Sequence, residues 1–264
     1  MSNIDNTSLG DRMKEYEKES TKRYVNKEQH LIVRLDGSSF HKFTKGMKRP
    51  FDAEMSELMR ETTKALVSRY SANVGYTQSD EITLIWNPRK EDREFEFGGR
   101  VQKLESEIAA WCSVYFNRML LLSEHANRHQ LMPYFDARAF NVPSEYEAFN
   151  CLLWRQLDCM KNSISMAAQS EFSHKELHQK HSSEKILMLL QNGIEYDKYP
   201  EFFRLGTFVI RRKTFTELTS EQLENIPEQF RPVGPIERNV LEMHNFNLAD
   251  PMTRVDSIRQ IFGY

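Results

Sequence analysis

The residues best placed to do chemistry are Asp36, at the end of the run "LIVRLDGSSFHKF", and Asp80, inside "GYTQSDEITLIW". Each taken alone is ordinary. Asp-Gly is most often a turn, and Ser79-Asp80-Glu81 reads equally well as a solvated hairpin turn. Together they acquire another meaning. Two carboxylates held close repel each other and raise one another's pKa unless a cation lies between them. Their hard oxygens suit Mg²⁺, which keeps several waters and takes nucleotide phosphates as its remaining ligands. Two such ions about 3.5–4 Å apart activate an attacking oxygen and stabilise a leaving phosphate. Gly37 would let its carbonyl approach a metal with no Cβ in the way. Glu81 directly follows Asp80, so strand alternation places it on the opposite face and ranks it below Asp80 as a ligand.

For the two aspartates to meet, particular elements must carry them. Leu31, Ile32, Val33 and Leu35 make 29–36 an apolar strand, followed by a loop with Lys42, Lys45, Lys48 and Arg49. From Asp52 to Tyr70, Met55, Leu58, Met59, Thr62, Leu66 and Val67 fall at helical spacing, with Asp52 as N-cap after Pro50. "NVGYTQSDEITLIW" reads as two short strands around a tight turn at Gln78-Ser79-Asp80. A long helix from about Gly99 to Ser123 and a strand near "MPYFDARAFNVP" complete a βαββαβ order. That is the ferredoxin-like α+β arrangement, an antiparallel sheet with helices on one face, used by RNA-binding modules and polymerase palms, and helical and C-terminal extensions are expected beyond it. In it the first strand lies centrally beside the hairpin, and Asp36 and Asp80 converge on one sheet edge.

Further elements surround this core. Residues 9–24 read as a charged, solvated helix. Ser144-Glu145-Tyr146-Glu147 opens a long helix reaching about Ser170. "SSEKILMLLQNG" is a shorter helix ended by Asn192-Gly193, and "GTFVIRRKTF" is a late strand. Residues 216–264, polar and proline-dotted, are expected to wrap the surface.

Composition narrows the classes. Hydrophobic residues at 39% and aromatics at 11% support a real core, while 28% charged residues and a mean hydropathy of −0.64 describe a soluble chain. No apolar run approaches the roughly 20 residues that cross a bilayer, and the N-terminus lacks the apolar centre of a signal peptide. Cys112, Cys151 and Cys159 form neither a CxxC pair nor a disulfide framework, so a cytoplasmic, reducing setting is expected. The formal net charge of −2 gives no global sign of nucleic-acid binding. Any such contact must come from local patches.

Five separated segments, "VRLDGSSFHKF", "KRPFDAEM", "GYTQSDE", "GRVQKL" and "PSEYEAFNCLLWRQLDCMKNS", resemble in order and spacing the motifs of the tRNA-His guanylyltransferase family, including its Thg1-like branch. The resemblance runs over roughly residues 30–215. It implies a palm-type nucleotidyltransferase that adds nucleotides to the 5′ end of tRNA in the 3′–5′ direction. ATP or GTP first activates the 5′-phosphate, and the 3′-hydroxyl of an incoming nucleotide then attacks it. It also implies two Mg²⁺ ions, a homotetramer, and one catalytic domain over 1–264. The palm core would cover about 29–143 and a helical and C-terminal extension about 144–264.

Carried over by the resemblance, Asp36 and Asp80 are the metal carboxylates, Gly37 supplies its carbonyl, and Glu81 is the acid beside the second. Arg34, Ser38, Ser39, Phe40, His41 and Ser79 match positions near the nucleotide. Arg100 and Lys103 match an R-x-x-K that grips a triphosphate, and at i and i+3 they would share one helix face. Asp158, Lys161, Asn162 and Lys185 match positions linked to RNA and activation. One departure stands out. The family's eukaryotic branch has histidine-isoleucine-asparagine-asparagine after the aspartate-cysteine pair, whereas here Asp158-Cys159 precedes Met160-Lys161-Asn162-Ser163. The loss of that histidine turns the expectation from strict guanylate addition on tRNA-His toward templated repair of 5′-truncated tRNA. Two other readings use the same residues. A nucleotide cyclase-like palm needs the carboxylates but no RNA. A non-catalytic RNA-binding module would expose aromatics on its central strands, where "LIVRLDG" and "EITLIW" offer aliphatics and acids.

Overall fold

The computed structural model describes residues 8–88 and 95–263. In chain order it forms α1 (Leu9–Ser20), β1 (His30–Gly37), α2 (Phe40–Phe43), α3 (Ala53–Arg69), β2 (Val74–Gln78), β3 (Glu81–Trp86), α4 (Val101–Leu120) and β4 (Phe135–Val142). There follow α5 (Glu145–Glu171), α6 (His174–Leu177), α7 (Ser182–Gln191), α8 (Glu201–Leu205), β5 (Thr207–Thr216), α9 (Ser220–Glu224), β6 (Ile236–His244) and α10 (Arg254–Phe262). The strands make one antiparallel sheet in the order β4-β1-β3-β2-β5-β6.

Local chemistry explains the boundaries. The Asp52 carboxylate accepts from the Met55 amide and caps α3, whose buried stripe includes every position expected from spacing. Ser144 accepts from the Glu147 amide at the start of α5. Asn192 caps α7, and Gly193, at φ +80°, takes the left-handed turn after it. Because strand side chains alternate, β1 sends Leu31, Val33 and Leu35 into a core with α3 and α4, and Ile32 into a second core with α5.

This second core changes the picture drawn from sequence. The crossover helices α3 and α4 share one face, but the opposite face is also covered: Ala148, Phe149 and Leu152 of α5 and Ile261 of α10 pack on Ile32, Val74, Ile85 and Ile210. The sheet is therefore buried on both sides. The segment 216–264 does more than wrap the surface, since β6 pairs with β5 from Phe208↔His244 to Thr216↔Ile236. Its strand carries Ile236, Val240, Leu241 and Met243 among polar residues, out of strict alternation, and lies at the sheet edge, so it presents little period-2 pattern to read.

Candidate active site

The two aspartates meet through backbone bonding. Gln78 and Glu81 close the β2–β3 hairpin around Ser79 and Asp80, with Ser79 at φ 49°. The Gly37 amide donates to the Asp80 carbonyl at 3.0 Å, which ties the end of β1 to this turn. Burial and the Asp36 charge then hold the half-buried Asp80 carboxyl above its ordinary value, and only the Ser79 hydroxyl, 3.1 Å from Oδ1, opposes them among side chains. Arg138 lies 3.9 Å from Asp36 and is itself closer, at 3.4 Å, to Asp136. A pair of hard oxygen donors with only this one distant, shared cation beside it among the described residues is what a hard divalent cation fits. Among the described residues no three His, Cys, Asp or Glu side chains converge to hold an ion by themselves.

Glu81 requires a correction. Asp80 is a turn residue, so the alternation rule does not connect it to Glu81. Glu81 is the first residue of β3 and lies directly across from Asp36, on the same face of the sheet. It is buried, and desolvation pushes its carboxyl up to about 7 against the attraction of Arg155 and Arg34. The Arg155 Nε lies 3.1 Å from Glu81 Oε1.

Gly37 also has a packing reason to be glycine. A Cβ there would lie 2.4–2.8 Å from the Phe40 ring. Phe40 itself stacks with Phe43, Phe116 and Phe135 in the core. Its ring is therefore unavailable to a nucleotide. Ser38 is held by its amide to the Tyr134 carbonyl at 2.9 Å, while Ser39 is exposed with a left-handed φ of 56°.

Beside the hairpin turn, at Gln78 and Ser79, opens a cleft of about 340 Å³. α2 lines it with His41, the loop after α2 with Lys45, Lys48 and Arg49, and the hairpin turn contributes Ser79. Asn162, Ser163 and Met166 of α5 form another wall, and Met47, Phe51, Phe202 and Phe203 make its apolar end. An apolar end next to a cluster of cations has the chemistry of a nucleoside triphosphate site. The spacing of the three cations was visible in the sequence, but their partners were not, because α5 and α8 reach the cleft from over a hundred residues away. The loop is braced from the 125–128 segment: Arg128 donates to the Phe43 and Lys45 carbonyls at 2.7 and 2.9 Å, and His125 Nε2 lies 2.9 Å from Asp52 Oδ1.

Asp52 yields a stability prediction. Burial alone would raise its carboxyl, but the His125 contact and the Met55 and Lys48 amides outweigh that and hold it below the usual value. A depressed folded-state pKa contributes stability above the unfolded value and loses it as pH falls through the folded value. Asp52→Ala should therefore cost roughly 1–2 kcal/mol at pH 7, and the gap from wild type should close below about pH 4. Urea unfolding at both pH values checks this; an unchanged gap at low pH overturns it.

The other expected residues are scattered. Arg34 lies 5.3 Å from the Trp154 ring, on the Asp36 face. Asp158 accepts from Arg155 at 2.8 Å and from Asn162 at 3.3 Å. Lys161 is exposed, and Lys185 donates to Ser165 at 3.0 Å. Met160 is half-buried beside the Cys159–Asn162 wall. Arg100 and Lys103 do not join the carboxylates. Arg100 is the N-cap of α4, not part of a helix face with Lys103, and Lys103 is 3.7 Å from Glu107. The Val101 amide donates to Arg23, just before β1, whereas Phe116 of the same helix touches Phe40 near the site. At about 1.5 Å per residue, the intervening helix separates Arg100 from that end by roughly 24 Å.

Comparison with known proteins bears on these observations. The profile of the tRNAHis guanylyltransferase family matches residues 10–143. An uncharacterized protein of Acanthamoeba polyphaga mimivirus is 31% identical over 240 residues, covering 82% of each chain. The tRNA(His) guanylyltransferase of Debaryomyces hansenii is 28% identical, covering 82% of this chain and 87% of its own. Among solved structures, a bacterial tRNA(His) guanylyltransferase (Thg1)-like protein in complex with ATP superposes with a TM-score of 0.77 at 28% identity, over 95% of this chain and 98% of that one. A bacterial Thg1-like protein in complex with GTP gives a TM-score of 0.70 at 28% identity, over 98% of this chain and 100% of that one.

Proposed function

Because this chain belongs to the tRNA(His) guanylyltransferase family, we propose that it transfers nucleotides from ATP or GTP to the 5′ end of tRNA, on a palm-type sheet. The observation that carries this reading is the Asp36–Asp80 pair, joined through a hairpin turn whose Gln78 and Ser79 line a cleft that also holds Lys45, Lys48 and Arg49. The order β4-β1-β3-β2, with α3 and α4 as crossovers, supports the ferredoxin-like palm.

In this reading the cleft binds the activating nucleotide. Met47, Phe51, Phe202 and Phe203 take the base, and Lys45, Lys48 and Arg49 orient the triphosphate. Asp36 and Asp80 would hold Mg²⁺, which when bound supplies charge neutralisation for the phosphates and lowers the pKa of an attacking hydroxyl. The chain's own part is to place the RNA 5′-phosphate and the incoming 3′-hydroxyl against each other, since positioning dominates phosphoryl-type transfer. Any triphosphate gripped by Arg100 and Lys103 is held away from these carboxylates or against another copy, as in the homotetramer expected of the family. A cytoplasmic site of action accords with the three unpaired cysteines.

Met160 directs substrate choice. A thioether is a weak acceptor and no donor, so the side chain offers nothing to select an RNA 5′ end by hydrogen bonding. Selectivity then rests on base-pairing with the opposite strand of the acceptor stem. Repair of a tRNA lacking its 5′ nucleotide is expected to follow the templating base and to exceed guanylate addition to intact tRNA-His. The test supplies both 5′-labelled RNAs in competition with Mg²⁺ and each nucleotide in turn, varying the templating base. Preference for intact tRNA-His, with G added whatever lies opposite, sinks the repair reading.

A further inference from the structure

The residue that the site does not yet explain is Arg155. It is 5% exposed, in the middle of α5, on the face turned to the sheet. Burying a guanidinium is costly unless it is paired, and here its two carboxylate partners are Glu81, at the catalytic sheet edge, and Asp158. Its Nε lies 3.1 Å from Glu81 Oε1, and its Nη2 donates to Asp158 at 2.8 Å. Its guanidinium carbon sits 4.0 Å from the Trp154 ring centroid, and Arg34 approaches the same ring at 5.3 Å. Asp158 and Trp154 thus fix the guanidinium from its own helix, leaving one edge for Glu81. Neither Arg155 Nε nor Glu81 Oε1 has an aligned hydrogen bond, so the contact across the interface is electrostatic and depends on how α5 sits on the sheet.

We propose that Arg155 is a positioning residue for the chemical step, holding the Glu81 carboxylate in register with Asp36 and thereby locking α5 onto the catalytic edge of the sheet. Glu81 pairs with Asp36 across β3 and β1, so a shift of Glu81 is transmitted to the neighbouring carboxylate. The same helix presents Asn162 to the cleft, one turn beyond Asp158 and joined to it at 3.3 Å. A single buried cation therefore links the carboxylate edge to the nucleotide wall. Lysine cannot reproduce this, because an ammonium is a point charge without the planar fork that spans two acceptors.

The inference rests on the nucleotidyltransferase reading, and its test keeps the two apart. Wild type, Arg155→Lys, Arg155→Met, Glu81→Gln and the double variant Arg155→Met/Glu81→Gln are compared in Mg²⁺-dependent nucleotide addition to a 5′-truncated tRNA, with thermal unfolding of each. In Arg155→Met, kcat should fall about a hundredfold, the scale of a small misplacement of reacting groups, with the nucleotide KM moving less than about threefold. Arg155→Lys should fold and recover only part of that loss. The double variant should be within about threefold of the slower single one, since both changes cut one link. Should Arg155→Met unfold, Arg155→Lys and the double variant, which leaves no lone buried carboxylate at Glu81, still decide the matter. Wild-type kcat in folded Arg155 variants, losses that multiply in the double variant, or a raised KM at constant kcat would each overturn the proposal. No addition by the wild type on any RNA overturns the nucleotidyltransferase reading and this proposal with it.

Discussion

Replacing Asp80 or Asp36 by alanine should reduce nucleotide addition by at least about a thousandfold, equivalent to roughly 4 kcal/mol of transition-state stabilisation, without unfolding the protein. The two effects have opposite origins. In the reaction the pair supplies hard oxygen donors for Mg²⁺, which no neutral side chain replaces. In the metal-free fold the pair is a burden, because burial and Asp36 hold the Asp80 carboxyl above its ordinary value. A raised folded-state carboxylate pKa means that the fold loses stability as pH rises from the unfolded value through the folded one. Asp80→Asn escapes this loss, so at neutral pH in a chelator its unfolding midpoint should equal or exceed that of wild type. Turnover at the wild-type rate in purified Asp80→Ala would refute the metal assignment. A lowered midpoint for Asp80→Asn in chelator would refute the electrostatic account of the pair.

The second large effect is expected at the cationic loop. Lys48→Ala and Arg49→Ala should each raise the nucleotide Kd about 10- to 150-fold, the range of a charge-assisted contact worth roughly 1.5–3 kcal/mol. The loop is braced independently of these side chains, through Arg128 on the Phe43 and Lys45 carbonyls and through Asp52 on the Lys48 amide. Their removal should therefore leave the loop in place and report on charge. Titration of each variant with ATP and GTP, at several salt concentrations, tests this, since screening should narrow the difference from wild type. Affinities within twofold of wild type for both variants would return Lys48 and Arg49 to the status of solvated surface cations.

Much of this was written in local sequence. The apolar runs of 31–35 and 82–86 lie at the centre of the sheet, the Met55–Val67 stripe is the buried face of α3, and Asp52, Ser144 and Gly193 mark helix ends by their own chemistry. The order of elements was enough to bring Asp36 to Asp80, because a strand placed centrally beside the hairpin ends at the hairpin's turn. The family match rested on residues readable without coordinates.

What the sequence left open depended on contacts between distant segments. The alternation rule assigned Glu81 the wrong face because it counts from a strand residue, and Asp80 is a turn residue whose backbone breaks the period. Gly37 was given a role toward a metal, and the packing of Phe40 against its Cα adds a requirement for glycine that no local pattern shows. Arg100 and Lys103 look like neighbours of the site in one dimension and lie at the far end of a twenty-residue helix in three. The cleft and the burial of Arg155 exist only because α5 and α8 fold back onto the sheet. Periodicity, caps and turns are set by interactions within a few residues, so the sequence by itself determines them. Which apolar face covers which sheet face is set by the burial available across the whole chain, and that was decided only by the tertiary structure.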